Sequence, residues 1–345
     1  MESARHQEIF GIIISNQPIG ISEIAKKLSI EISTPTLNRE LALLKKQNIL
    51  QSQGAGPSTK YSINYEGLMF ANINPDIFFS KEVDERKIIN RFKASIFETL
   101  EKRLLFTNDE LNHLQKLSAT YRKNIAESTS TLLKKESERL MIELSWKSSQ
   151  IEGNTYDLLD TEQLLRFNIT SKKHTQEEND MLLNHKAAIE FINENTDFFR
   201  EMTVSKIIDI HSLLVKKLGI QKLIRKRSVR ITGSSYLPPD ISFVIEESLE
   251  KMCELINKKE NVFEKALIAV LLINYIQPFE DGNKRTARLT ANAILLANAC
   301  CPLSYRSVSS STYKKTILLF YELNNITAFK KIFIEQYQFA VENYF

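Results

Sequence analysis

Two apolar runs, 266–276 and 289–299, enclose one charged, glycine-containing segment, Gln277-Pro278-Phe279-Glu280-Asp281-Gly282-Asn283-Lys284-Arg285-Thr286-Ala287-Arg288. The runs read as buried helices, so the segment between them is a turn held inside the protein. A charge taken out of water is costly unless it is paired or put to use. Asp281, Lys284, Arg285 and Arg288 crowd into that turn and the helix start after it, and they need a partner. An anion supplies one. Gly282 reaches backbone conformations barred to residues with a side chain. Asn283 begins a helix whose first N–H groups and positive dipole end face into the turn. Arg285 and Arg288 lie three apart on one helix face and can both fork onto phosphate oxygens. Asp281 is a hard oxygen ligand, suited to a magnesium ion that bridges phosphates. The plain alternative is a helix start with surface ion pairs. It suits the turn but not the apolar flanks.

The rest of the chain reads as mainly α. With 9 Gly and 8 Pro in 345 residues, it has too few turn formers for an all-β protein, and its length suggests two or three domains. A net charge of +4 is too mild to imply nucleic acid by itself. Glu2, Arg5 and Glu8 interrupt any early apolar stretch, so no signal peptide is expected. No uninterrupted apolar run reaches the roughly 18 residues of a membrane span. Cys253, Cys300 and Cys301 are odd in number and lack motif spacing. That pattern fits a reducing cytoplasm rather than disulfides or zinc. The histidines show no metal-ligand spacing, and His211, inside the apolar run 207–218, reads as a satisfied core residue.

Taken in order, residues 5–16 suggest an amphipathic helix that stops at Pro18. Ile21, Ile24, Ala25 and Leu28 mark a second helix. Ser33 is a candidate N-cap for a third over 34–46, with Leu37, Leu41 and Leu44 inward. Two extended runs around Gly54, Gly56 and Pro57 make a hairpin wing. This order resembles the winged helix-turn-helix family and implies DNA contact by Thr34, Thr36, Asn38 and Arg39 on the third helix and Lys60 on the wing. Residues 1–64 carry seven basic and five acidic side chains, modest for a DNA binder, so protein contact is the alternative use. Residues 65–80 form a packed connector, and 81–144 read as strongly helical, with a capping sequence at Thr107–Glu110.

The charged segment itself is similar to the signature of the Fic (Fido) family, H-x-F-x-[DE]-G-N-[GK]-R-x-x-R. It matches at every position but the first, where Gln277 stands for histidine. Upstream, Ser148, Glu152 and Gly153 resemble the family's inhibitory motif, [ST]-x-x-x-E-[GN]. The run 223–239 alternates apolar and basic residues before Pro238-Pro239. It resembles the family's flap, a hairpin that aligns a target chain as an added strand, here through Ile231, Gly233, Ser234 and Tyr236.

The resemblance implies an all-helical core over 145–300 with a small β-hairpin flap. A winged helix-turn-helix domain would precede it over 1–65, with a helical connector over 66–144 and a helical tail over 301–345. It implies ATP and Mg²⁺ as ligands, with Asp281 on the metal. Gly282, Asn283, Lys284, Arg285 and Arg288 would lie around the phosphates, and Glu152 would oppose Arg288. The activity implied is AMP transfer to a Ser, Thr or Tyr hydroxyl of a target protein. Gln277, at the position of the general base, cannot accept that hydroxyl's proton near neutral pH. Two alternatives stand beside it: a DNA-binding transcription regulator whose core binds nucleotide without chemistry, and a Doc-like phosphotransferase, suggested by Lys284. No membrane partner is expected, and a homodimer is compatible with the sequence.

Overall fold

The computed structural model describes residues 4–86 and 88–345. Residues 1–3 of the expected first domain, and Lys87, lie outside the described residues. The chain divides into two compact units, and neither is one continuous stretch. The first comprises Met1–Phe92, Arg230–Leu237 and Lys315–Lys330; the second comprises Lys93–Val229, Pro238–Lys314 and Lys331–Phe345.

Helices α1 (Ala4–Asn16), α2 (Ile21–Lys27) and α3 (Thr34–Lys46) of the first unit accompany a three-stranded antiparallel sheet. Its strands β1 (Ile19–Gly20), β2 (Leu50–Gln53) and β3 (Lys60–Ile63) lie in the order β1-β3-β2, with Leu50 opposite Ile63 and Gln53 opposite Lys60. The side chain of Ser33 caps α3 by accepting from the Thr36 N–H, and Leu37, Leu41 and Leu44 are buried. They join Ile9, Ile13, Ile24, Leu319 and Leu323 in one core. Two short helices, α4 (Tyr65–Phe70) and α5 (Pro75–Phe78), follow. Arg86, buried in this unit, forks onto Glu322 from Nε and Nη2 at 2.9 Å each and donates to the Gly233 carbonyl at 2.6 Å.

Residues 88–94 differ from the helical expectation. They form no helix of their own: Ile89 donates to the Glu322 carbonyl, and Asn90 and Phe92 pair with Leu237. The run 223–239 forms no hairpin of its own either. The first unit holds residues 230–237 by the Leu237 bridge and the Arg86 contact to Gly233, while Arg225 of the second unit donates its backbone N–H to the Pro278 carbonyl. Pro238 and Pro239 remove two donors that a ladder would need.

Helices α6 (Ser95–Lys102), α7 (Asn108–Glu127), α8 (Ser130–Ile151), α9 (Leu158–Phe167), α10 (Gln176–Glu194), α11 (Val204–Leu214) and α12 (Ser242–Lys258) build the second unit, with α13 (Val262–Ile276) and α14 (Asn283–Ala297) at its centre. Helices α15 (Ser310–Leu323) and α16 (Thr327–Tyr344) complete the chain. Thr107 and Glu110 form the expected capping box at the start of α7. Helix α13 packs on both α12 and α14, and every residue from Ala266 to Phe279 is buried. A helix apolar all round has no solvent face to offer, which is why the turn after it lies inside the unit. The three cysteines are free and buried. Among the described residues no helix is long and apolar enough to cross a membrane.

Candidate functional site

Helix α13 ends at Gln277, whose left-handed backbone (φ 51°) turns the chain while its N–H still bonds the Ile273 carbonyl. The Gln277 side chain donates from Nε2 to the Asn274 carbonyl at 2.7 Å, and the Gln277 backbone carbonyl accepts from Arg225 Nε at 2.6 Å. The turn is pinned a second time by Asn283. Its Oδ1 accepts from the Phe279 N–H at 2.9 Å and its Nδ2 donates to the Phe279 carbonyl at 2.8 Å. Gly282 then begins α14 at φ 81°, and no side chain caps the helix. A Cβ there would sit 3.3 Å from Val215 Cγ1 and 3.5 Å from the His211 ring, so glycine is required both by conformation and by space. The uncapped start leaves the first N–H groups of α14 for an anion.

Lying under this turn is His211, a core residue as its surroundings predict, but one with a job at the site. Its ring stacks on Phe279 with centroids 3.6 Å apart, Nε2 lies 3.0 Å from the Asp281 carbonyl, and Nδ1 lies 3.2 Å from the Lys222 carbonyl. Burial pushes its pKa down, while the two carbonyls push it back up. A neutral ring can donate to only one of those carbonyls at a time.

Arg285 is 1% exposed, and Arg288 is completely buried. Arg285 touches the Asp281 carboxylate from Nη2 at 3.4 Å, leaving Nε and Nη1 without a partner; Arg288 Nη1 is likewise unpartnered. Buried guanidinium N–H groups are normally satisfied, and these three keep hydrogen-bonding capacity at the turn. Burial, together with the charge of Arg288, pushes the Arg285 pKa down despite Asp281 and Glu152. The Asp281 side chain is 68% exposed and so is open to a metal.

Glu152 stands opposite. It follows α8, and Gly153 beyond it takes φ 103°. Its carboxylate accepts from Arg288 Nη2 at 2.9 Å and from Lys284 Nζ at 3.0 Å. Burial pushes this carboxyl up, but Arg288 and Lys284 outweigh burial and hold it below the usual carboxylate range. Ser148, one turn earlier, accepts from Arg288 Nε at 3.0 Å through its hydroxyl and from Nη2 at 2.9 Å through its carbonyl.

A residue that the sequence did not single out completes the arrangement. His185 on α10 is fully buried, with Nε2 2.8 Å from the Ser148 hydroxyl and Nδ1 3.4 Å from that of Ser145. Ser148 Oγ accepts from Arg288 Nε and shares a second hydrogen bond with His185 Nε2, whose role as donor or acceptor follows the tautomer of the ring. Burial, Arg288 and Arg285 all drive its pKa well below the ordinary value. Its sequence surroundings are those of an ordinary amphipathic helix, so only the packing of α10 on α8 reveals it.

Ser148, Glu152, Asp281, Lys284, Arg285 and Arg288 are thus brought together, with Gln277 at the head of the same turn. The flap residues are placed differently. Tyr236 is completely buried and stacks on Tyr321 at 5.6 Å, so its side chain is taken up by packing. The Gly233 carbonyl is occupied by Arg86, and the Ile231 carbonyl accepts from Ser234 N–H in a turn. On α3, Thr34, Asn38 and Arg39 are exposed, as is Lys60 on β3. Thr36 is half-buried and shares a hydrogen bond with Ser33.

Comparison with known proteins bears on the segment that carries the turn. Residues 201–295 match the Fic/DOC family. This Fic/DOC segment holds α11 to α14 except the last residues of α14, and stops well short of Ser148 and Glu152. The chain is 29% identical over 170 residues to protein adenylyltransferase Fic of Nematostella vectensis, covering 47% of this chain and 39% of that protein. It is 25% identical over 201 residues to protein adenylyltransferase fic-1 of Caenorhabditis elegans, covering 56% and 37%. The chain therefore spans about two fifths of the length of these curated relatives. Among solved structures, C. elegans Fic-1 superposes with a TM-score of 0.61 at 20% identity, covering 68% of this chain and 72% of that one. A Fic-domain-containing signaling protein from Bacteroides thetaiotaomicron gives 0.56 at 22% identity, covering 67% and 94%. The mainly helical Fic fold is common to all three.

Proposed function

We propose that this chain is a Fic-type protein adenylyltransferase, held back by Glu152 and slowed by Gln277. The observation that carries the proposal is the trio of buried, unpartnered N–H groups on Arg285 and Arg288 at an uncapped helix start. Such a cradle fits phosphate oxygens, and the curated relatives named above are protein adenylyltransferases. In this reading ATP lies with its phosphates toward Arg285, Arg288, Lys284 and the first N–H groups of α14. A target hydroxyl oxygen bonds the α-phosphorus, the bond to the β-phosphate oxygen breaks, and pyrophosphate leaves while the hydroxyl proton is released. Among the described residues no cluster of three metal-ligating side chains exists. A Mg²⁺ shared with phosphates needs only one or two protein carboxylates, and the exposed Asp281 side chain can serve. When bound, that ion would offset phosphate charge.

Two features restrain the activity. Glu152 occupies Arg288 and Lys284, so a nucleotide must displace a carboxylate to use them. Gln277 can hydrogen-bond a hydroxyl but cannot take its proton, a loss worth about 10²–10⁴-fold in rate. The proposal is tested with Mg²⁺ and ATP labelled at the α or the γ position, using the chain as it is and as Gln277→His with Glu152→Gly. Protein labelled from the α position supports it. Label from the γ position instead supports Doc-like phosphotransfer, with Lys284 among the phosphate contacts. A second reading, DNA binding through residues 1–65, is favoured by the exposed row Thr34, Asn38 and Arg39 on α3. Binding of duplex DNA that weakens with salt and with Arg39→Ala supports it. No binding at low salt refutes it.

A further inference from the structure

The last carbonyls of a helix have no partner within it. At the end of α13 water cannot serve them, because every residue from Ala266 to Phe279 is buried. Arg225, itself completely buried, donates there instead. Its backbone N–H bonds the Pro278 carbonyl at 3.0 Å, and its Nε bonds the Gln277 carbonyl at 2.6 Å. The guanidinium charge thereby lies at the negative end of the α13 dipole. Gln277 stands meanwhile at φ 51°, ψ 59°, a left-handed conformation that a residue with a side chain keeps only under restraint.

The other arms of the same guanidinium reach a different stretch. Nη1 donates to the Arg227 carbonyl at 2.8 Å, and Nη2 donates to the Pro239 carbonyl. Residues 227 and 239 are the two feet of the segment that resembles the target-aligning flap. A guanidinium is a rigid planar fork, so one flat group fixes both feet against residue 277. A second tie runs beside it, where the His211 ring lies between the Lys222 and Asp281 carbonyls. The phosphate turn has its own fastening in the paired Asn283–Phe279 hydrogen bonds. Arg225 therefore bears on where residue 277 and the two feet sit, and not on the phosphate clamp. We propose that Arg225 is a positioning residue for the transfer step, holding residue 277 in its left-handed turn and in register with both feet of the segment 227–239. The proposal rests on the transferase reading and deepens it, by naming the side chain that brings the target segment to the base position.

The test starts from Gln277→His with Glu152→Gly and adds Arg225→Lys or Arg225→Met. Lysine keeps a cation without the fork, and methionine keeps neither. Mg²⁺–ATP affinity, measured by calorimetry, stays within about twofold in both, as for a residue outside ground-state binding. Transfer of α-label at saturating ATP falls about 10- to 10²-fold, the cost of misplacing a reacting group by roughly an ångström. The pH profile adds a readout that a merely structural role would not move. An imidazole introduced at position 277 acts as a base only when neutral, so the acid limb of the profile reports its pKa. A neighbouring guanidinium holds that pKa down. Arg225→Met therefore moves the midpoint up by about half a unit to one unit, and Arg225→Lys leaves it in place. Carbon-13 NMR titration of the introduced imidazole reads the same shift without any turnover. If Arg225→Met does not fold, Arg225→Lys decides the proposal through the split between rate and affinity. An ATP affinity that falls in step with the rate, an undiminished rate, or a midpoint unmoved by Arg225→Met overturns it. If no variant transfers label yet ATP binds, the transferase reading fails, while the NMR titration still decides whether Arg225 governs residue 277.

Discussion

Glu152→Gln keeps the shape of the side chain and removes its charge, so it isolates what the carboxylate does to the site. This carboxylate accepts two charge-assisted hydrogen bonds, one from completely buried Arg288 and one from Lys284, whose side chain is 32% exposed. Hydrogen bonds to charged groups contribute about 1.5–3 kcal/mol each when shielded. The Lys284 bond, open to water, contributes toward the low end of the exposed-pair range. A nucleotide phosphate and the carboxylate compete for the same guanidinium, so the nucleotide recovers part of what the carboxylate loses. A coupling of about 1–3 kcal/mol corresponds to a 5–150-fold tightening of ATP. Isothermal titration of Mg²⁺–ATP into both proteins measures it directly. An affinity that is unchanged, or weaker in Glu152→Gln, refutes the competition. The pH dependence supplies a companion test. The folded-state pKa of Glu152 lies below its unfolded value of about 4.3, so the contact is fully present above that value and is lost as pH falls through the depressed one. ATP affinity of the wild-type chain therefore stays limited by Glu152 across pH 5–8, and the gap to Glu152→Gln does not close in that window.

Other expectations follow from the same geometry. Gly282→Ala puts a side chain at φ 81° and against Val215. It should cost about 1–2 kcal/mol in backbone strain and weaken ATP binding, read by chemical denaturation and titration. His185→Leu removes a buried hydrogen-bond partner of the Ser148 hydroxyl, at about 1–3 kcal/mol. Because the folded-state pKa of His185 is depressed, the unfolded chain binds a proton that the fold excludes, and stability falls as pH drops below about 6.5. His185→Leu flattens that slope, and an unchanged slope contradicts the neutral, buried assignment. In the first unit, Glu322→Gln strips the partner from buried Arg86 and should cost about 3–5 kcal/mol. Arg86→Met with Glu322→Leu recovers most of it, and equal losses in both proteins argue against an uncompensated charge as the cause.

The central turn was legible because charge between two apolar runs has few physical uses, and α13 and α14 are as buried as those runs demand. Ser33, Thr107 and the inward leucines of α3 were legible for local reasons: capping and periodicity act within one helix. The link between Glu152 and Arg288 was visible only through family resemblance, since 136 residues separate them and no local pattern pairs them. His185 left no local signal at all. The run 223–239 misled because alternating residues suggest a strand, whereas strand pairing depends on what lies alongside. Here those partners are Asn90, Phe92 and Pro278 rather than the run itself. Tyr236 likewise sits in a docking-like stretch of sequence, yet its ring is buried against Tyr321.

The measurement closest to the central claim is transfer of radiolabel from α-labelled ATP to protein, compared between the chain as it is and Gln277→His with Glu152→Gly. Restoring a base and removing the competing carboxylate should raise protein-bound AMP at least about 10²-fold, and Arg288→Ala in that background should abolish it. A double variant that binds ATP yet transfers no α-label, or that transfers label only from the γ position, contradicts the account.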